Sequence, residues 1–258
     1  MSLKSFLKSV APAPLWAYLR KRKARMRILS AMKQYIKSSS MEGFFVLKEE
    51  EEYGKTGKIF DGEQYYSQAY QDYFLDKFIF CKKEGGFFLD IGGNDPVKIN
   101  NTYFFEKNRG WTGLAFEPMP DLREKWKDTR VTECLPYALG SKDGETEFCE
   151  YEDHYMSGFS DEVDYDGKVK SRWKVPVRRL AGILEERGIK HVDFVSLDVE
   201  GAEIEVLKGI DFSCVEIDCF IIENNKGFMR EHGIRKFMTK AGYRIKAKLW
   251  LDELWIKK

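Results

Sequence analysis

Cysteine is scarce and unpatterned in this chain. Cys81, Cys134, Cys149, Cys214 and Cys219 include no CxxC pair, and their odd number fits no disulfide framework, so reduced core thiols in a cytoplasmic setting are expected. Histidine is scarcer still: three residues without ligand-like spacing give no structural zinc site. No apolar run approaches the ~20 residues that cross a bilayer. No internal repeat is visible. A net charge of +1 argues against a dedicated nucleic-acid binder.

That small net charge hides an asymmetry. Residues 1–40 carry ten Lys or Arg and no acid, which leaves the rest of the chain at −9. The apolar residues of this leader recur at helical spacing on either side of Pro12 and Pro14, so it reads as two helices. The basic cluster follows the apolar residues and no small-residue cleavage site appears, unlike a secretory signal. Three readings stay open: a basic amphipathic helix with Trp16 on an anionic membrane surface, a cap on the main domain, or a transit peptide. The boundaries expected are a helical extension over 1–52 and one domain over 53–258.

From about residue 60, apolar strands alternate with helices, the pattern of a parallel sheet covered on both faces. GFFLDIGG (86–93), TGLAFEP (112–118), TECLPYAL (132–139), VDFVSLDVE (192–200) and DCFIIENN (218–225) read as strands. NNTYFFEKN (100–108), Pro120 to Lys127, GAEIEVLKG and residues 231–241 read as helices. SKDGETEFCEY (141–151) starts at an Asp-Gly turn and reads as extended. Residues 152–173 are polar and aperiodic and read as a long loop. AGYRIKAKLWLDELWIKK reads as two closing strands. The tryptophans are assigned chiefly to the core.

Ligands of open α/β sheets bind beyond the carboxyl ends of the strands. Here those ends carry Asp90-Ile91-Gly92-Gly93-Asn94-Asp95, then Glu117, then Asp198 and Glu200, then Glu223-Asn224-Asn225. The glycines allow close backbone approach, and Glu117 suits two ribose hydroxyls, one per carboxylate oxygen. The phosphate-binding G-x-G-x-x-G spacing is absent, because Gly92 and Gly93 are adjacent and Pro96 follows. A nucleoside without phosphates fits better, and S-adenosylmethionine is the common one.

At these residues a family resemblance becomes visible. FFLDIGGNDPVKINNTYFFEKNRGWTGLAFEP, PYALGSKDGETEF, VDFVSLDVEGAEIEVLKGIDF and IIENN, in that order, resemble the FkbM-type S-adenosylmethionine-dependent methyltransferases. The likeness runs from SQAYQDYFLDKF (67–78) to the C-terminus. It implies an α/β, Rossmann-like fold: a mostly parallel seven-stranded sheet with an antiparallel closing strand and helices on both faces. It also implies an O-methyltransferase acting on a hydroxyl of a carbohydrate, glycolipid or related metabolite.

By position, the resemblance places Asp90, Gly92, Gly93 and Asn94 beside the methionine and ribose of the cofactor. Glu117 lies on the ribose hydroxyls, and Asp198 at the methyl-transfer edge. Gln71 and Asp72 match a Gln-Asp pair that lines the pocket. Pro96 departs from the family pattern, which has glycine there, and it removes a backbone donor.

A hydroxyl acceptor must lose its proton during transfer. The candidate groups are Asp198, Glu223 and His154, the last in the long loop. A divalent cation on oxygens of Asp198, Glu223 and Asn224 is the alternative, and no dedicated metal site is expected. Within SLDVEGAEIEVLKG, Asp198 reads as a site residue, Glu200 as either site or helix-terminus charge, and Glu203 as structural. The rival functions are an NAD-type oxidoreductase or epimerase and a non-catalytic nucleoside-binding module.

Overall fold

The computed structural model describes residues 45–47, 58–60, 62–152, 157–159, 168–224 and 228–258. The two leader helices, His154 and Asn225 lie outside the described residues. Three sheets hold the strands β1 (Phe45–Leu47), β2 (Lys58–Phe60), β3 (Glu63–Tyr65), β4 (Phe87–Ile91), β5 (Thr112–Phe116), β6 (Glu133–Leu135), β7 (Ala138–Leu139), β8 (Gly144–Tyr151), β9 (Gly158–Phe159), β10 (Val169–Arg178), β11 (His191–Leu197), β12 (Glu216–Glu223), β13 (Tyr243–Leu249) and β14 (Asp252–Lys257). The principal sheet runs in the order β1-β13-β14-β12-β11-β4-β5-β6. Within it only β14 is antiparallel to its neighbours.

The expected mostly parallel sheet is therefore present, with its antiparallel strand one place in from β13. Phe45–Leu47, inside the stretch assigned above to the extension, adds an eighth strand by pairing with Ala247, Lys248 and Leu249. The helices are α1 (Gln71–Phe74), which runs into a π-helical turn at Leu75–Ile79, α2 (Tyr103–Arg109), α3 (Pro120–Thr129), α4 (Leu180–Glu186), α5 (Glu203–Lys208) and α6 (Phe228–Lys240).

Strand alternation decides which side chains meet at the site. In β4, β11 and β12, Phe88, Phe194, Cys219 and Ile221 enter one buried cluster, together with Phe104, Phe105 and Trp111. Their neighbours Leu89, Ile91, Val195, Leu197, Phe220 and Ile222 enter a second cluster on the opposite face. Each large apolar side chain so buried stabilises the fold by about 1.5–3 kcal/mol. A period of two then puts Asp90, Ser196 and Glu223 on the first face as the strands run out.

The chain passes from β4 outward through β5 and β6, then returns to lay β11 on the other side of β4. The strand order thus reverses at β4/β11, where open sheets of this kind place their ligands.

Two expectations are corrected. TECLPYAL divides into β6 and β7 around Pro136-Tyr137, and β7 joins a separate sheet of order β7-β10-β8-β9. The supposed loop 152–173 contains β9 and the start of β10. Strand β10 turns Trp173, Val175 and Val177 onto the cluster around Phe148, while Lys170, Arg172 and Lys174 face outward to Glu150, Glu147 and Glu145 on β8. Exposed pairs of this kind contribute little each.

All five cysteines are free. Cys149 and Cys219 are the buried thiols expected, whereas Cys81 and Cys214 are exposed. Trp111, Trp126 and Trp255 are core residues. No helix among the described residues is long and apolar enough to cross a membrane.

Candidate active site

The turn after β4 brings the backbone closest. Gly92 adopts φ +81°, and a Cβ built there would lie 1.8 Å from the carbonyl oxygen of Asp198. Only glycine accepts both the left-handed backbone and that approach. The Gly92 N–H donates to the Phe116 carbonyl at 3.1 Å and the Asp198 N–H to the Ile91 carbonyl at 3.0 Å, so the ends of β4, β5 and β11 are tied together. A Cβ on Gly93 would come within 2.6 Å of the Trp126 ring. Asn94 takes φ +43°, one of the few non-glycine residues in that region.

Asp90 holds the loop from beneath. Its Oδ2 accepts hydrogen bonds from the Asn100 amide at 3.0 Å and the Thr102 hydroxyl at 2.6 Å. The same Asn100 caps α2, its Oδ1 accepting the N–H groups of Thr102 at 2.9 Å and Tyr103 at 2.8 Å. Burial raises the Asp90 carboxyl, partly offset by the Thr102 bond and the Arg130 charge. Asp90 is thus a buried strut of the loop.

Glu117, at the end of β5, is buried too. Its Oε2 accepts the Asn94 N–H at 3.0 Å and its Oε1 the Met119 N–H at 2.8 Å. Each oxygen keeps a lone pair for another donor. Burial raises its carboxyl to about 7, against the two backbone hydrogen bonds and Arg123.

The carboxylates of 198–203 separate by role. Asp198, Glu203 and Glu223 offer oxygens that all lie within 4.8 Å of one another. Glu203, the first residue of α5, also accepts the N–H groups of Val199 at 3.2 Å and Gly201 at 3.0 Å. It is structural as expected, and it is also a member of the site. Glu200 takes φ +55° in the turn.

Enclosure by the site walls, followed by the charges of Glu223, Glu200, Asp252 and Glu203, raises the Asp198 carboxyl well above its usual range. Because Asp198 remains exposed, the crowding of like charges is the firmer cause. This trio could close around a hard cation. Asn224 does not join it: its amide donates to Glu253 Oε2 at 2.8 Å, and both residues lie on the sheet face opposite Glu223. A second group, His191, Asp193 and Asp218, lies toward the other end of β11 and β12, where Lys83 already neutralises Asp193.

Asp252 carries no signal in the sequence beyond its place in a closing strand. Register sets it opposite Glu223, on the same face. Its Oδ2 accepts the Gln71 side-chain N–H at 2.5 Å, while Gln71 Oε1 accepts the Ala69 N–H at 2.6 Å. Burial raises the Asp252 carboxyl to about 6, against the Gln71 bond and Lys248. Gln71 therefore reaches the carboxylate wall, whereas Asp72 is spent on its own loop, accepting from Tyr66, Ser67 and Tyr73.

The chain matches the family Methyltransferase FkbM domain over residues 90–245, more than half its length. It belongs to that family. The FkbM match begins at Asp90 and takes in the glycine turn, Glu117, Asp198, Glu203 and Glu223, while Gln71 and Asp252 lie outside it. The crystal structure of Methyltransferase FkbM from Methylobacillus flagellatus KT is similar at 14% identity and a TM-score of 0.45, over 74% of this chain. The aligned part spans 48% of that protein, about half its length. No curated protein sequence matches the chain.

Proposed function

We propose that this FkbM-domain protein is an S-adenosylmethionine-dependent O-methyltransferase whose acceptor is a hydroxyl of a carbohydrate, glycolipid or related metabolite. The observation that carries the reading is the pairing of Glu117 with the Gly92–Asn94 turn. A buried carboxylate with one free lone pair per oxygen stands against a tight turn whose Asn94 N–H it holds. That donor set fits two vicinal hydroxyls of a nucleoside. A pyrophosphate fits poorly, because the N–H groups of Thr102 and Tyr103, where α2 begins, are already taken by Asn100. This speaks against the oxidoreductase alternative.

The bound cofactor supplies an activated methyl group. The chain's own residues do the rest. Glu117 holds the ribose hydroxyls, and Asp90, through Asn100 and Thr102, fixes the turn around Gly93 and Asn94. Asp198 and Glu223 receive the acceptor's proton, and a carboxyl raised by crowding is a stronger base near neutral pH than an ordinary one. Gln71 and Asp252 close the wall behind them. His154 keeps its candidacy as base from outside the described residues. A cytoplasmic protein whose residues 1–40 touch an anionic membrane is part of the same reading. Deleting those residues should abolish sedimentation with phosphatidylserine vesicles, and undiminished sedimentation would refute that contact.

Two results test the cofactor site. The folded Glu117 carboxyl, at about 7, lies above its ordinary 4.5. The free protein therefore gains stability from its protonation and loses that contribution as pH rises from about 4.5 to about 7. Hydroxyl donors need the ionised form, so S-adenosylhomocysteine should bind about tenfold more tightly at pH 8 than at pH 6. Glu117→Gln would turn a carboxamide N–H toward a backbone N–H and should weaken binding about 100-fold. Titration calorimetry reads both, and a flat pH profile would remove Glu117 from the site. Transfer of a labelled methyl group to a panel of glycans and glycolipids tests the acceptor class. Labelling of amines alone would overturn it.

A further inference from the structure

The loop between β4 and α2 is held by two residues from the C-terminal end of α3. Trp126 and Arg130 stand one turn apart at the end of α3, joined by the Arg130 N–H donating to the Trp126 carbonyl at 2.8 Å. Trp126 Nε1 donates to the Asn94 carbonyl at 2.8 Å, and its ring fills the place a Gly93 side chain would take. Arg130 Nη1 donates to the Pro96 carbonyl at 2.9 Å and Nη2 to the Thr102 hydroxyl at 3.2 Å. That hydroxyl in turn donates to Asp90.

The guanidinium is buried, lies 4.5 Å from the Trp126 ring and 5.2 Å from that of Tyr103, and pairs with Glu106 at 3.0 Å. Its contacts thus fall on both limbs of the loop, with Trp126 fixing Asn94 and Arg130 fixing Pro96 and Thr102. A planar fork of donors can span these groups at once, and a single ammonium cannot.

We propose that Trp126 and Arg130 form a clamp that sets the conformation of the 93–102 loop, and that they are positioning residues for nucleoside binding through Asn94 and Glu117. The Asn94 N–H donates to Glu117 Oε2 at 3.0 Å, and the same residue holds a left-handed backbone, φ +43°. Trp126 grips the carbonyl of that same residue. With the loop pre-set, binding need not order it; with the clamp loosened, only a fraction of molecules presents the site, and affinity falls by that fraction. The inference rests on the proposed cofactor site, and its test separates the two.

The probe is S-adenosylhomocysteine, titrated calorimetrically into the full chain well below its melting temperature. Hydrogen exchange of the 92–102 peptide is followed in the absence of any ligand. Trp126→Phe keeps the ring and removes one donor, and should weaken binding about fivefold. Arg130→Lys keeps the charge and loses the fork, and should weaken binding about 30-fold. Both should speed exchange in the loop while leaving the β11 and β12 peptides unchanged.

Variants that bind and exchange like the parent would overturn the clamp, as would a loss of stability with unchanged affinity. If Arg130→Lys does not fold, Trp126→Phe decides alone. If the parent chain does not bind the probe, the cofactor assignment fails, and the exchange data still decide the clamp.

Discussion

Gly92→Ala should be the most damaging single substitution in the site, destabilising the protein by about 2–5 kcal/mol and abolishing nucleoside binding. An alanine there meets a left-handed backbone at about 1–2 kcal/mol. Its Cβ must also displace the Asp198 carbonyl, which would lie 1.8 Å away. Moving that carbonyl separates the ends of β4 and β11, so the Asp198 N–H loses its 3.0 Å bond to Ile91. Overpacking at such a join costs a further 1–3 kcal/mol or so. Urea denaturation measures the sum. A variant within about 1 kcal/mol of the parent would mean that the two strand ends do not meet as described.

Asp198→Asn should instead separate activity from stability. If Asp198 is the proton acceptor proposed above, removing its carboxylate should lower methyl transfer by about 10²–10⁴-fold. The same change relieves repulsion among Asp198, Glu223, Glu200, Asp252 and Glu203. The sign follows from the raised carboxyl: ionising Asp198 costs stability, and the cost grows as pH rises above the ordinary carboxylate range. The variant should therefore have a higher urea midpoint than the parent, by a margin that widens with pH. Binding of S-adenosylhomocysteine should persist. A variant that keeps its turnover would move the proton acceptor to Glu223 or to His154.

The distribution of these residues explains which were legible in the sequence. Asp90, Glu117, Asp198 and Glu223 each end an apolar run, and in a parallel sheet all such ends gather at one edge, so their convergence follows from the pattern alone. Asp252 sits at the start of a strand running the other way. It reaches the same edge only through the β12/β14 register, which no local pattern encodes. Glu203 looks like an ordinary first-turn helix acid until the turn at Glu200 and Gly201 folds it back toward Asp198.

Asn224 differs for the opposite reason. Adjacency to Glu223 suggests a shared site, but neighbours in a strand point to opposite faces. Strand β10 was hidden by its outward Lys170, Arg172 and Lys174. Dividing the run at Trp173 cut across the alternation that continues through Val175 and Val177. The clamp was invisible because Trp126 and Arg130 touch residues that are distant in sequence.

In the proposed function, Glu117 and the Gly92–Asn94 turn hold a nucleoside cofactor. Calorimetric titration of the full chain with S-adenosylhomocysteine at pH 8 decides it. The expected result is saturable one-to-one binding that is lost in Glu117→Gln and Gly92→Ala. Absence of binding to the parent chain, or binding that both variants retain, would contradict it.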